Sequence, residues 1–169
     1  MTELQELHDD HAALRPAVDA LRYTAEAVGG ASLADLRGAV ETDRIYLHAE
    51  LLPHLEAEEE VLYPAIREAM GSETVTVGME HDHAQIRALA AEVAELDTRL
   101  TNVDALSPEL AARIRQVFYG LYAILLNHFS KEEEIYHPYL MRGLTPQRRS
   151  AVVAELEATT ARLVLAATS

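Results

Sequence analysis

The chain has 169 residues, of which 49% are hydrophobic and 25% charged, with a formal net charge of −14 and no cysteine. This length and balance describe one globular unit with a real core rather than a disordered segment. The lack of cysteine excludes disulfides, thiolate metal ligands and cysteine nucleophiles, and the acidic surface argues against direct binding to nucleic acid or anionic membranes.

Helical periodicity runs through nearly the whole sequence. A first helix is predicted from Thr2 to Val28, ending at Gly29-Gly30. Ser32-x-x-Asp35 reads as a capping box that opens a second helix running to Met70. Residues 71–78 are expected to form a loop; Thr74-Val75-Thr76-Val77 alternates like a strand but is short. A third helix covers Met79 to Leu100. Ser107 followed by Pro108 is an N-cap with a first-turn proline, so a fourth helix begins there and ends near Arg142-Gly143. Thr145-Pro146 repeats that signal for a shorter fifth helix up to Leu165. The predicted fold is all-α: an up-down-up-down four-helix bundle over residues 1–143, with a C-terminal helical extension over 144–169 packed on or next to it. Pro16 and Pro53 fall inside predicted helices and are expected to bend them. No apolar run approaches a membrane span, and the N-terminus lacks a signal-peptide pattern, so the expected location is cytoplasmic.

One pattern occurs twice, 74 positions apart. The first copy is Leu51-Leu52-Pro53-His54-Leu55-Glu56-Ala57-Glu58-Glu59-Glu60, and the second is Leu125-Leu126-Asn127-His128-Phe129-Ser130-Lys131-Glu132-Glu133-Glu134. Each holds a His-x-x-x-Glu step within an apolar run. Residues four apart share a helix face, and here that face is otherwise greasy: Leu47, Leu51, Val61 and Ala65 beside His54 and Glu58, Phe118, Leu121, Leu125 and Ile135 beside His128 and Glu132. A carboxylate on a core-facing stripe is costly unless something compensates it. The repeat extends to the first and third helices, where Asp10-His11-Ala12-Ala13-Leu14-Arg15 resembles Asp82-His83-Ala84-Gln85-Ile86-Arg87, 72 positions on. Two related hairpins pack most simply about a pseudo-twofold axis, which would gather His11, His54, Glu58, His83, His128 and Glu132 at the centre.

Those six residues are the predicted metal ligands. By symmetry one metal takes His11 and His54, the other His83 and His128, with Glu58 and Glu132 bridging. Imidazole and carboxylate without sulfur suit iron, and also manganese or zinc. Two nearby metals with open positions suit dioxygen, peroxide or nitric oxide chemistry. His8 and His81 fall on polar faces and read as surface residues. His48 and His137 are weaker candidates; His137 matches Tyr63 across the repeat, so each could flank the site. Glu59, Glu60, Glu133 and Glu134 read as a solvated face, and Tyr23, Tyr46, Tyr119 and Tyr122 as core or boundary residues. Glu80-x-x-His83 and Glu134-x-x-His137 have the ferritin-like spacing, but on successive helices and without copies on the first two, which makes them coincidental. There is no His-Glu-x-x-His motif, phosphate-cradling glycine loop or serine triad.

The single His of the first helix, the His-x-x-x-Glu of the second, the His of the third and the His-x-x-x-Glu of the fourth together resemble the hemerythrin family, specifically the HHE cation-binding domain. The resemblance spans roughly Leu4 to Leu140. It implies a di-iron centre with a bridging oxo or hydroxo group inside a four-helix bundle. Oxygen-carrying hemerythrins have a His-x-x-x-His pair on the third helix and a His-x-x-x-x-Asp step on the fourth. Here Arg87 stands four residues after His83, and the fourth helix carries Glu132. That change removes one nitrogen ligand and argues against reversible oxygen carriage. Relatives with this plainer ligand set are associated with iron or oxygen sensing, nitric oxide response, iron–sulfur repair and peroxide breakdown.

The expected function is a non-haem di-iron protein that binds or reacts with dioxygen, peroxide or nitric oxide, with peroxide decomposition or oxygen reduction as the candidate enzyme activities. The competing expectation is an iron- or oxygen-sensing module without turnover. The expected partners are small molecules, with a protein partner or second copy contacted through the C-terminal helix.

Overall fold

The computed structural model describes residues 3–169, and among them there are helices and short connections but no strand. Helix α1 spans Glu3–Ala27; the predicted first residue, Thr2, lies outside the described residues. Helix α2 is one continuous rod over residues 33–70. Helix α3 spans Val77–Thr101, α4 runs over residues 108–143, and α5 spans Pro146–Ala167.

Local chemistry explains the ends. The Asp35 N–H donates to Ser32 Oγ at 3.1 Å, and Ser107 and Thr145 accept from Leu110 and Arg148 N–H in the same way. Gly71 closes α2 in the left-handed conformation at φ 65, which glycine adopts without a Cβ clash. Helix α3 begins at Val77, two residues before the predicted start, because Gly78 is accommodated inside the first turn instead of breaking it. Residues 74–77 form no strand.

The prolines act through the helix turns that precede them. Three turns widen to π-helical geometry: Leu47–Leu51, Glu58–Leu62 and Glu132–Tyr136. They end just before Pro53, Pro64 and Pro138, and the residue before each proline bonds five positions back: Leu52 N–H to Leu47 O, Tyr63 N–H to Glu58 O, His137 N–H to Glu132 O. Proline lacks an N–H and its ring crowds the carbonyl four residues back, so an extra residue in the turn relieves both problems. Pro16, by contrast, sits within unbroken α-helix.

Helix α1 packs on α2 and α4, and α3 packs on the same two, closing a ring of four. The fifth helix lies on α1 and α2, burying Val152, Val153 and Leu156. Two apolar clusters result. One holds Leu14, Val18, Leu51, Leu55, Ile86, Phe118, Leu125 and Phe129. The other holds Leu7, Leu62, Ile66, Met79, Leu140 and the buried face of α5. Each helix of the ring passes from one cluster to the other, and the six predicted ligands fall at the crossing. Tyr23 and Tyr119 depart from the expected core or boundary placement: they are 55% and 42% exposed, with the Arg22 guanidinium 4.4 Å over the Tyr23 ring. Ile135, read as part of the buried stripe, is 45% exposed, because the widened turn after Glu132 rotates it outward.

Gly143 is where the ends of α2 and α4 touch. A Cβ there would collide with the Ala69 carbonyl and methyl, while one at Gly38 meets nothing within 4 Å. Gly143→Ala is expected to cost about 1–3 kcal/mol through overpacking. Gly38→Ala is expected to add about 0.5–1 kcal/mol by restricting the unfolded chain. Thermal denaturation of the two variants should show Tm shifts of opposite sign.

Candidate metal centre

The structure brings all six predicted residues together. His11, His54, Glu58, His83, His128 and Glu132 are each at most 3% exposed. Their side chains converge: His11 Nε2 lies 3.2 Å from Glu132 Oε2 and 3.8 Å from Glu58 Oε1, and His54 Nε2 is 2.9 Å from Glu58 Oε1. On the opposite side, His83 Nε2 lies 3.3 Å from Glu58 Oε2, 3.0 Å from His128 Nε2, and His128 Nε2 is 3.5 Å from Glu132 Oε2. Glu58 thus faces all four imidazoles.

Ligand atoms within 4.8 Å of one another form three sets that could hold a metal ion: Glu58, His83, His128 and Glu132; His11, His54 and Glu58; and His11, Glu132 and His137. Several of these atoms have no hydrogen-bond partner although they are buried: His54 Nε2, Glu58 Oε2 and Glu132 Oε2. Polar atoms left unpartnered in an apolar interior are costly, and a cation among them removes the cost. The donor set therefore fits one or two hard-to-borderline metal ions.

An outer ring of carboxylates orients the imidazoles. Glu59 Oε1 is 2.8 Å from His83 Nδ1, and Glu133 Oε1 is 3.1 Å from His11 Nδ1. Asp10 Oδ2 is 3.1 Å from His54 Nδ1, and Asp82 Oδ2 faces His128 Nδ1 at 3.5 Å. With each Nδ1 facing outward to a carboxylate, each Nε2 is aimed at the centre. Arg87 Nη1 donates to Glu59 at 2.8 Å and Arg15 Nη2 to Glu133 at 2.9 Å, while Lys131 pairs with Asp82. Glu59 and Glu133 are thus not a merely solvated face, as the helical wheel suggested: each leaves its own helix to meet an imidazole on a neighbour. Glu60 and Glu134 are exposed. The Phe129 ring stacks on His11 at 4.4 Å, fixing its plane.

His81 and His48 are exposed and outside the centre. His8 is half-buried, its ring 6.0 Å from that of His137. Both candidates paired across the repeat line the site. Tyr63 is fully buried, with its hydroxyl 2.8 Å from His83 Nε2 and donating to Glu132 Oε1 at 3.1 Å. Burial, reinforced by Glu132 and Glu58, pushes this phenol far up, so it stays neutral. His137 is 1% exposed, and burial holds it down to about 4.

The charges are strongly coupled. Burial alone would raise Glu58, but His54, His11 and His128 outweigh it and keep the carboxyl well below its usual range. Burial alone would depress His11 and His128, but Glu132 and Glu58 outweigh it, lifting them from 6.5 to about 9 and about 10. In the metal-free protein, the shifted His11 and His128 therefore favour a proton that a metal must displace. Two consequences follow in sign. A metal must displace these protons, so apparent affinity should keep rising with pH until about 9 to 10, beyond the ordinary histidine range. The folded-state values lie above the unfolded 6.5, so their contribution to metal-free stability is complete below that pH and lost as pH climbs through 9 and 10. Metal titrations and melting curves from pH 6 to 10 check both. Glu59→Gln and Glu133→Gln should each weaken metal affinity about 10–100-fold while sparing the fold, and His81→Ala should leave it unchanged, as read by competition with a chelator.

Comparison with known proteins agrees with this geometry. Residues 2–140 match the model of the hemerythrin HHE cation-binding domain. The iron-sulfur cluster repair protein YtfE of Cronobacter sakazakii is 34% identical over 103 residues, covering 57% of this chain and 44% of that protein. YtfE of Escherichia coli O139:H28 is 29% identical over 104 residues with the same coverage. The chain thus spans less than half the length of the curated relatives it matches. No solved structure matches. A family match over most of the chain, coincident with the convergent His and Glu side chains, establishes that the chain belongs to the hemerythrin HHE cation-binding domain family.

Proposed function

We propose that the protein is a non-haem di-iron protein that binds or reacts with dioxygen, peroxide or nitric oxide. Its metal-binding unit is an up-down-up-down four-helix bundle over residues 1–143, with 144–169 as a C-terminal extension. The observation that carries the reading is the pair of buried carboxylates, Glu58 and Glu132, set among four imidazoles with inward atoms left unpartnered. His11 and His54 would hold one iron, His83 and His128 the other, and Glu58 and Glu132 would bridge them. When bound, such a pair supplies two Lewis acids and a source of electrons for a small oxygen or nitrogen ligand. The chain's own contribution is orientation, exclusion of water and a neutral hydroxyl: the outer carboxylates fix the imidazoles, the two apolar clusters keep the centre dry, and Tyr63 offers a buried donor.

A second reading, a metal-dependent sensor without turnover, draws support from α5. That helix rests on the same widened turn that carries Glu58, and Arg162 Nη2 donates to Glu60 Oε2 there at 2.8 Å. No helix among the described residues is long and apolar enough to cross a membrane.

Anaerobic ferrous loading followed by desalting should give about two irons per chain. Glu58→Ala and His128→Ala should each lose that loading; full loading in both would remove the basis of the assignment. Peroxide consumption and oxygen uptake by the loaded protein then separate the two readings, because repeated turnover is incompatible with a pure sensor.

A further inference from the structure

We propose that His137 is a further metal ligand, a third imidazole on the iron held by His11, and that the two metal positions are consequently inequivalent. The inference rests on the di-metal reading above and adds a residue to it.

Four observations carry it. His137 is 1% exposed, and neither ring nitrogen has a hydrogen-bond partner. A buried imidazole normally satisfies at least one nitrogen, since leaving a polar group unpaired inside a protein is destabilising. One of its nitrogens lies in a set with His11 and Glu132 in which all ligand atoms are within 4.8 Å of one another. The backbone is shaped to put it there. His137 stands five positions after Glu132, and on a regular α-helix that step lands well off the glutamate's face. The widened turn Glu132–Tyr136 takes up one extra residue and swings His137 back over Glu132.

The fourth observation comes from the duplication. The same widened turn follows Glu58 and presents Tyr63. Six other matched polar pairs at the centre are chemically alike: His11 with His83, His54 with His128, Glu58 with Glu132, Asp10 with Asp82, Glu59 with Glu133, Arg15 with Arg87. Tyr63 and His137 are the pair that differs. Tyr63 already has partners, His83 Nε2 and Glu132 Oε1, whereas His137 has none. The nearby rings supply no alternative: His8 and His11 lie at 6.0 and 5.5 Å from it, centroid to centroid, without a hydrogen bond to it. One metal position would therefore have one more nitrogen ligand, and the other would lie beside the Tyr63 phenol hydroxyl. A small exogenous ligand would bind on the His83 and His128 side, beside Tyr63.

The test compares wild type with His137→Phe and His137→Tyr, the latter reproducing the residue found at the matching position. Each is loaded with ferrous iron anaerobically, titrated against a competing chelator and examined by Mössbauer spectroscopy. Wild type should bind about two irons with two distinct ferrous signals. Both variants should keep one tight iron and hold the other at least about tenfold more weakly, with the signal of one site changed and the other preserved. Helicity by circular dichroism identifies a variant that fails to fold, and the remaining variant then decides. Two irons bound with wild-type affinity and unchanged spectra would overturn the role of His137, as would equal weakening at both positions. If wild type itself takes up no iron, the di-metal reading fails first, so the two failures are distinguishable.

Discussion

Two carboxylates buried in the middle of an apolar interior set the terms for everything around them. Glu58 and Glu132 are almost wholly shielded from solvent, on the path where each helix crosses from one hydrophobic cluster to the other. An isolated carboxylate there would cost more than a domain of this size can spare. The imidazoles of His11, His54 and His128 offset that cost by favouring their protonated forms, which is why Glu58 is driven down while they are driven up. The outer carboxylates and Arg15, Arg87 and Lys131 complete a graded arrangement in which negative and positive groups alternate outward from the centre. Protons and metal ions are thus alternative solutions to the same electrostatic problem, and the fold is built to accept either.

The duplication makes this arrangement economical. Two of the four orienting contacts cross between the hairpins, Glu59 of α2 to His83 of α3 and Glu133 of α4 to His11 of α1, while Asp10–His54 and Asp82–His128 each stay within one hairpin. No helix carries a complete half-site. The centre is therefore assembled by tertiary packing, and the apolar residues that hold the ring of helices together determine the geometry of the polar ones.

Much of this was legible in the sequence because it depends on periodicity. The caps at Ser32, Ser107 and Thr145 and the two offsets of the repeat were sufficient to locate the helices and the six converging residues. What escaped was whatever a regular helical wheel misplaces. Glu59 and Glu133 stand one residue past the buried Glu58 and Glu132, so a wheel turns them to solvent; their partners are on other helices and leave no trace in local spacing. The signal that could have found them is the matched Arg15 and Arg87, each in the repeat and each in need of a carboxylate. Ile135 was misplaced for a different reason, which also left His137 only a weaker candidate that could flank the site. A wheel assumes a constant turn, and the widened turn before Pro138 adds a residue, moving the imidazole inward and the isoleucine outward. A proline five to seven residues after a core-facing glutamate is the readable warning of that shift.

The depth of the site also separates how strongly a metal is held from how fast it exchanges. All six converging residues are at most 3% exposed, so an ion with its hydration shell reaches them only when helices part. Such openings would be local unfolding events, set by helix packing rather than by the donor atoms. A diatomic molecule would need far less room and only smaller fluctuations to enter. On the proposed function, burial would act as a kinetic sieve that slows the exchange of an ion more than the entry of a small neutral molecule.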